Sequence, residues 1–150
     1  MADIREQQER TEAELEQLEP KTEQIERQIE EVEHAIQEIE ATLSRLESGG
    51  DQDVADAVRK TLAERMQEKQ QVEQEAQQVA QQLQKVFSEI REVDQWNDEA
   101  RREIANLESL GENVGDAANR IADRDRWTEE TYEKAREMQQ RLGKATGGFG

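Results

Sequence analysis

Apolar residues recur at alternating spacings of four and three along the first third of the chain. This spacing keeps one narrow face of a long helix against a partner helix, and it predicts a coiled-coil seam. The same count places the polar residues Gln8, Thr11 and Thr22 on the stripe. Its apolar members are Ile4, Leu15, Leu18, Ile25, Ile29, Val32, Ile36, Ile39, Leu43 and Leu46.

Glycine-containing turns divide the pattern into three predicted helices. We expect these helices over about 3–47, 52–110 and 113–142, because glycine adopts the positive φ angles found after a helix C-terminus. The turns fall at Gly49-Gly50 and at Gly111. We interpret residues 1–143 as a single helical coiled-coil domain and residues 144–150 as a flexible glycine-rich tail.

The apolar stripe of the second helix changes along its length. It falters between Leu62 and Val72 and widens toward the end of the helix, as expected when a helix touches two neighbours instead of one. Members of the wider half include Leu83, Val86, Ile90 and Trp96.

The predicted fold class is therefore all-α. We expect an elongated antiparallel coiled-coil hairpin with the third helix packed on one end. This arrangement gives a three-helix bundle at the end that holds the termini. A two-stranded arm then extends to the Gly49-Gly50 tip.

Counting back from the two turns gives a register that is good to about one helical turn. Residues whose numbers sum to about 99 should lie side by side on the first two helices, and pairs around the second turn should sum to about 222. Trp127 then lies opposite residue 95. We therefore expect its ring to pack on Trp96, near Ile4 and Gln8 of the first helix.

Pro20 has two interpretations. Proline removes one backbone hydrogen bond and bends a helix, but the heptad phase passes through Pro20 without a slip, which favours one continuous helix. In the alternative interpretation, Pro20 lies in the first turn of a new helix and residues 1–19 form a separate segment.

Acidic residues dominate the surface and narrow the choice of partners. The net charge is −17, and residues 1–47 hold fifteen acids against five bases. Such a surface repels phosphate backbones and anionic lipid, so we expect basic protein partners, no nucleic-acid binding and no membrane insertion. Adaptation to high salt remains an alternative explanation of the acidity, because arginine outnumbers lysine fourteen to six.

Composition also limits the fold and the location. Hydrophobic residues make up 33% of the chain and cysteine is absent, so the chain can fill seams between helices but cannot form a disulfide scaffold. No apolar run approaches the roughly 20 residues that cross a bilayer, and no signal peptide is recognisable. We expect a cytoplasmic protein, or one within a virion or other assembly.

No motif indicates an enzyme, a cofactor or a metal site. His34 is the single histidine and forms Glu-x-x-His with Glu31, but di-iron sites that use this motif need two copies and two further glutamates. Acid clusters such as Glu30 and Glu33 are typical of a solvated helix face. We therefore expect a non-enzymatic protein without a cofactor.

The C-terminal Gly147-Gly148-Phe149-Gly150 contains the candidate recognition residue, Phe149. A lone aromatic residue on a glycine tail can insert into a partner's pocket. The tail can equally be the stub of a linker to another domain.

Two function classes remain. The first is a structural or adaptor protein in which the acidic rod contacts protein partners. It would form homo-oligomers or belong to a larger assembly, because a two-stranded arm leaves its seam partly open. The second is a chaperone-like or assembly-scaffolding protein, with viral scaffolding and secretion-associated roles included, whose exposed hairpin ends or seams hold partner chains transiently.

Overall fold

The computed structural model describes residues 3–148, which form three helices packed against each other. They are α1 (Ile4–Ser48), α2 (Gln52–Ser109) and α3 (Gly115–Thr146). Helix accounts for 92% of the structure and the described residues contain no strand. The all-α prediction is confirmed. None of the described helices contains an apolar stretch sufficient to span a membrane.

The turn after α1 stops the helix through its own backbone. Asp51 N donates a hydrogen bond to Leu46 O at 3.0 Å, and Gly50 N donates to Glu47 O at 3.1 Å. This pair of bonds is a Schellman motif, in which the residue after the helix takes a left-handed conformation. Gly50 has a φ of 77° and Gly111, after α2, has a φ of 83°. Both predicted turns are therefore confirmed.

Pro20 lies inside α1, which is continuous from Ile4 to Ser48. The prediction of one continuous first helix is confirmed. The buried positions around it, Leu18, Thr22 and Ile25, keep the spacing of four and three residues, so proline does not shift the helical phase.

The third helix is longer than the sequence predicts. It passes through Gly143 and ends at Thr146, four residues beyond the predicted end. Leu142 is fully buried, and Thr146 Oγ1 donates to Leu142 O at 2.8 Å. The left-handed glycine after the helix is Gly147, with a φ of 81°. Residues 143–146 are half-buried or exposed, so the longer helix rests on the burial of Leu142 and the hydrogen bond from Thr146. Gly143 tolerates helix at a cost of about 1 kcal/mol relative to alanine, which does not end the helix there.

Contacts divide the described residues into two compact units. The first unit consists of residues 3–19 and 81–139, and the second of residues 20–80 and 140–148. Single-domain organisation over 1–143 stays a prediction. The buried apolar core of the first unit is Leu15, Leu18, Leu83, Val86, Ile90, Val93, Ile121, Ala135 and Met138. That of the second is Ile25, Ile29, Val32, Ala55, Val72, Ala76, Val79 and Leu142.

Contacts between α1 and α2 follow the predicted register. In the first unit, Lys85 Nζ lies 3.4 Å from Glu14 Oε1, the pairing that the sequence predicts. In the second unit, Lys69 Nζ lies 3.4 Å from Glu33 Oε1, within one helical turn of the predicted position.

Contacts between α1 and α3 depart from the predicted register by about two helical turns. In the first unit, Trp127 Nε1 donates to Glu12 Oε1 at 2.5 Å, whereas the prediction placed Trp127 near Ile4 and Gln8. In the second unit, Arg141 Nη2 pairs with Glu26 Oε1 at 2.5 Å. Contacts between α2 and α3, such as that of Asn97 with Asp125, keep the predicted sum of about 222, so the departure lies between α1 and α3.

The predicted Trp96–Trp127 ring pair is wrong. Within residues 3–148, the aromatic pair is Phe87 with Tyr132, whose ring centroids lie 5.4 Å apart. The neighbour of Trp96, Asn97, takes the fully buried position instead. Consecutive residues point about 100° apart around a helix, so Trp96 does not share the position of Asn97 and is only half-buried.

Candidate interaction surfaces

The predicted seam residues are buried to different depths. Leu15, Leu18, Ile25, Ile29, Val32, Leu83, Val86 and Ile90 are buried. Ile4, Ile36, Ile39, Leu43, Leu46, Trp96 and Trp127 are only half-buried. Phe149 lies outside the described residues. The half-buried members from Ile36 onward are consecutive on α1, so the seam opens in one continuous stretch.

This stretch forms what we call the 36–66 seam. It consists of Ile36, Ile39, Leu43 and Leu46 of α1 with Val58, Leu62 and Met66 of α2, all in the second unit. Met66 is 56% exposed, whereas Val32, just before the seam, is 2% exposed. A groove of about 690 Å³ lies here, and its lining includes Ile36, Ala63 and Met66. Apolar surface therefore remains available between α1 and α2.

A second groove lies between α2 and α3 in the first unit, and we call it the aromatic groove. Its volume is about 570 Å³, and its lining includes Phe87, Ile90 and Tyr132. The two rings are tilted by 58°, a common geometry for aromatic pairs. Tyr132 is 45% exposed, so part of its ring is open to solvent. Both aromatic residues are present in the sequence, but no local pattern predicts that they line the same groove.

A buried polar cluster links α1 and α2 in the first unit. Thr11 Oγ1 donates to Glu89 Oε2 at 2.7 Å, and both side chains are buried. Glu14 lies beside Glu89. Burial, the charge of Glu89 and a hydrogen bond to Glu89 raise the pKa of the Glu14 carboxyl above its ordinary value of 4.5, while Lys85 opposes the shift. The charged form of Glu14 is therefore less favourable in the folded protein than in the unfolded chain.

Glu14→Gln is expected to stabilise the protein near pH 7.5 by about 0.5–1 kcal/mol, because it removes a charge next to buried Glu89. The lost ion pair matters less, since the Lys85 side chain is 68% exposed. A raised folded-state pKa means that the native wild type binds the extra proton as pH falls. Its stability therefore rises relative to the variant and the difference shrinks toward pH 4.5.

Urea unfolding of wild type and variant at the two pH values measures this effect. Glu16→Gln removes an exposed charge from the same helix and is the matched control, with an expected change within about 0.5 kcal/mol. A Glu14→Gln protein that is less stable than wild type at pH 7.5 would show that the charge of Glu14 does not destabilise the folded protein.

Asn97 is the second buried polar feature of the first unit. Its Nδ2 donates to Ile121 O at 3.2 Å and to Asp125 Oδ1 at 2.7 Å. Asp125 also accepts a hydrogen bond from Arg101. Among the described residues, Asn97 Oδ1 has no hydrogen-bond partner. The amide therefore ties α2 to one position on α3 at some cost in desolvation.

The turn between α2 and α3 leaves apolar side chains open to solvent. Leu107 is 41% exposed and Leu110 is 76% exposed, next to the left-handed Gly111. Isolated exposed leucines are normal on protein surfaces, but two at one turn form a small apolar end on the first unit.

Residues 3–148 contain no group of three or more His, Cys, Asp or Glu side chains arranged to hold a metal ion. The sites to consider are therefore the 36–66 seam, the aromatic groove and the apolar end at Gly111. No family model, curated protein or solved structure matches this chain, so its function is argued from these surfaces and from the physical chemistry of their residues.

Proposed function

We propose that this chain is a non-enzymatic structural or adaptor protein that acts through protein–protein contacts of an acidic coiled-coil hairpin. The observation that carries the proposal is the 36–66 seam. Its seven apolar side chains keep the spacing of a helix–helix interface and none is fully buried. A second helical surface would bury them, and burial of apolar area is the main favourable term in association.

The occupant that we propose for the seam is a second copy of this chain, laid antiparallel. The flank of α1 is acidic, with Glu40 on the groove, and the flank of α2 carries Lys60 and Arg65. Antiparallel copies would set the acidic flank of one against the basic residues of the other. Within the described part of the chain, Glu40 and Lys60 form no ion pair, so both are available to such a contact.

We further propose that other partners of the assembly are basic proteins and that the protein acts in the cytoplasm or within a larger assembly. The net charge of −17 supports the basic partners, because it attracts basic surfaces and repels phosphate backbones.

Sedimentation equilibrium tests the proposal. Wild type is expected to approach twice the monomer mass as concentration rises, and Met66→Glu, which places a charge in the seam, is expected to stay monomeric. Leu110→Glu is the matched control, since it replaces another exposed apolar residue outside the seam, and it should associate like wild type. A wild type that stays monomeric at high concentration, or a Met66→Glu protein that associates normally, would refute the proposal.

The exposed Leu107 and Leu110 favour a second candidate, a chaperone-like or assembly-scaffolding protein that holds partner chains transiently. Its apolar end would contact clients and leave the 36–66 seam without a role. The same experiment separates the two. Loss of association in Leu110→Glu but not in Met66→Glu would support the second candidate.

A further inference from the structure

We propose that the aromatic groove of the first unit binds an arginine-bearing segment of a partner protein. The inference deepens the proposed adaptor function, and rests on it, by naming the chemistry that one of its surfaces recognises. The groove differs from the 36–66 seam in its elements, its unit and its charge, so the two surfaces are separately testable.

The rings of the groove suit a guanidinium group. Phe87 is half-buried and Tyr132 is 45% exposed, so part of the aromatic surface is open to solvent. A cation over the face of a ring is attracted by its negative π surface. Arginine is favoured over lysine at such sites, because its planar guanidinium stacks on the ring and is more weakly hydrated than an ammonium group.

The charges of the groove point to the same occupant. Asp94, Glu129 and Glu133 line it with a single base, Arg91. In the part of the chain that the structure describes, no ion pair involves any of these four side chains. Three carboxylates beside an aromatic pair are therefore free to accept the hydrogen bonds of a guanidinium, while the rings cover its face.

Another acidic groove, on α1 in the second unit, provides a comparison. It is lined by Arg27, Glu30, Glu31, Glu33, His34 and Gln37. It has carboxylates but no ring other than the imidazole of His34. If net charge alone attracted a basic segment, the two grooves would bind it alike. If the aromatic pair contributes, the groove between α2 and α3 binds it more tightly.

Tyr132 is the only tyrosine in the chain, so incorporation of 3-fluorotyrosine places a single ¹⁹F reporter in the groove. The probe is a blocked tri-arginine peptide, titrated at low salt, where screening is weak. We expect a saturable shift of the ¹⁹F resonance. Spermidine carries a similar charge without guanidinium groups and is expected to bind at least about threefold more weakly.

Paired variants locate the interaction. The double substitution Glu129→Gln/Glu133→Gln is expected to lower the affinity for the peptide about three- to tenfold, the range for two exposed charge pairs. Phe87→Leu keeps an apolar side chain without the ring and is expected to lower the affinity for the peptide about two- to fivefold. Glu30→Gln/Glu31→Gln removes the same charge from the comparison groove and should change affinity less than about twofold. Circular dichroism melting of each variant shows whether it remains folded.

Three results would overturn the inference. One is a ¹⁹F shift that fails to saturate, and the second is equal weakening by the two glutamine pairs. The third is an affinity for spermidine equal to that for the tri-arginine peptide. The second and third results would show attraction by net charge alone. Self-association is read by sedimentation and involves neither Phe87 nor Tyr132. Failure of the groove to bind is therefore distinguishable from failure of the adaptor proposal.

Discussion

Replacing Leu142 by alanine is expected to lower the free energy of unfolding by about 2–5 kcal/mol, the range for truncating a fully buried leucine. Leu142 is 0% exposed, and the last turn of α3 that contains it is held by Arg141 on Glu26. The loss combines the transfer free energy of the removed apolar atoms with the cost of the cavity that remains. Urea unfolding monitored by circular dichroism at 222 nm measures it.

Leu110→Ala is the matched control, because Leu110 is 76% exposed and its truncation should change stability by less than about 0.5 kcal/mol. Equal, small effects of the two substitutions would contradict the structure. That outcome would show that the side chain of Leu142 is not buried as described.

Asn97→Ala is expected to lower the free energy of unfolding by about 2–3 kcal/mol, because it creates a cavity and removes two hydrogen bonds from a fully buried side chain. Asn97→Leu should differ from wild type by less than about 1 kcal/mol. Leucine restores apolar contact, the Asn97 Oδ1 that lacks a partner is removed, and Asp125 keeps its bond from Arg101.

Asn106→Ala, at an exposed position of α2, is the control for Asn97 and should be neutral or slightly stabilising, since alanine is the better helix former. A buried asparagine also selects one alignment of neighbouring helices. Asn97→Leu should therefore broaden amide resonances of α2 and α3 in ¹H–¹⁵N spectra while stability is retained. An Asn97→Ala protein as stable as wild type would show that Asn97 is not buried as described.

Periodicity in the chain predicts several features without any tertiary information. Three helices, a continuous α1 through Pro20, and left-handed glycines at Gly50 and Gly111 all follow from local patterns. Glycine conformation and helical spacing are properties of a few neighbouring residues, which is why these predictions hold. The sequence also predicts a weak stretch of the α2 stripe between Leu62 and Val72, and the exposed Met66 lies within it.

Tertiary structure alone decides which side chain faces inward at a given level. Gln7 is buried in place of the predicted Gln8, and Asn97 in place of Trp96. A change of one residue rotates a side chain by about 100° around a helix. Where three helices meet, two neighbouring positions can both face a partner, and the local pattern does not choose between them.

The sequence by itself therefore determined the three helices, the ends of α1 and α2 at glycine turns and the net charge of the chain. Only the tertiary structure decided the offset of α3 along α1 and the pairing of Phe87 with Tyr132. It also decided the contact of Glu14 with Glu89. These features join residues far apart in the chain. Their geometry depends on the summed lengths of helices and turns, in which an error of one helical turn places a different residue at each contact.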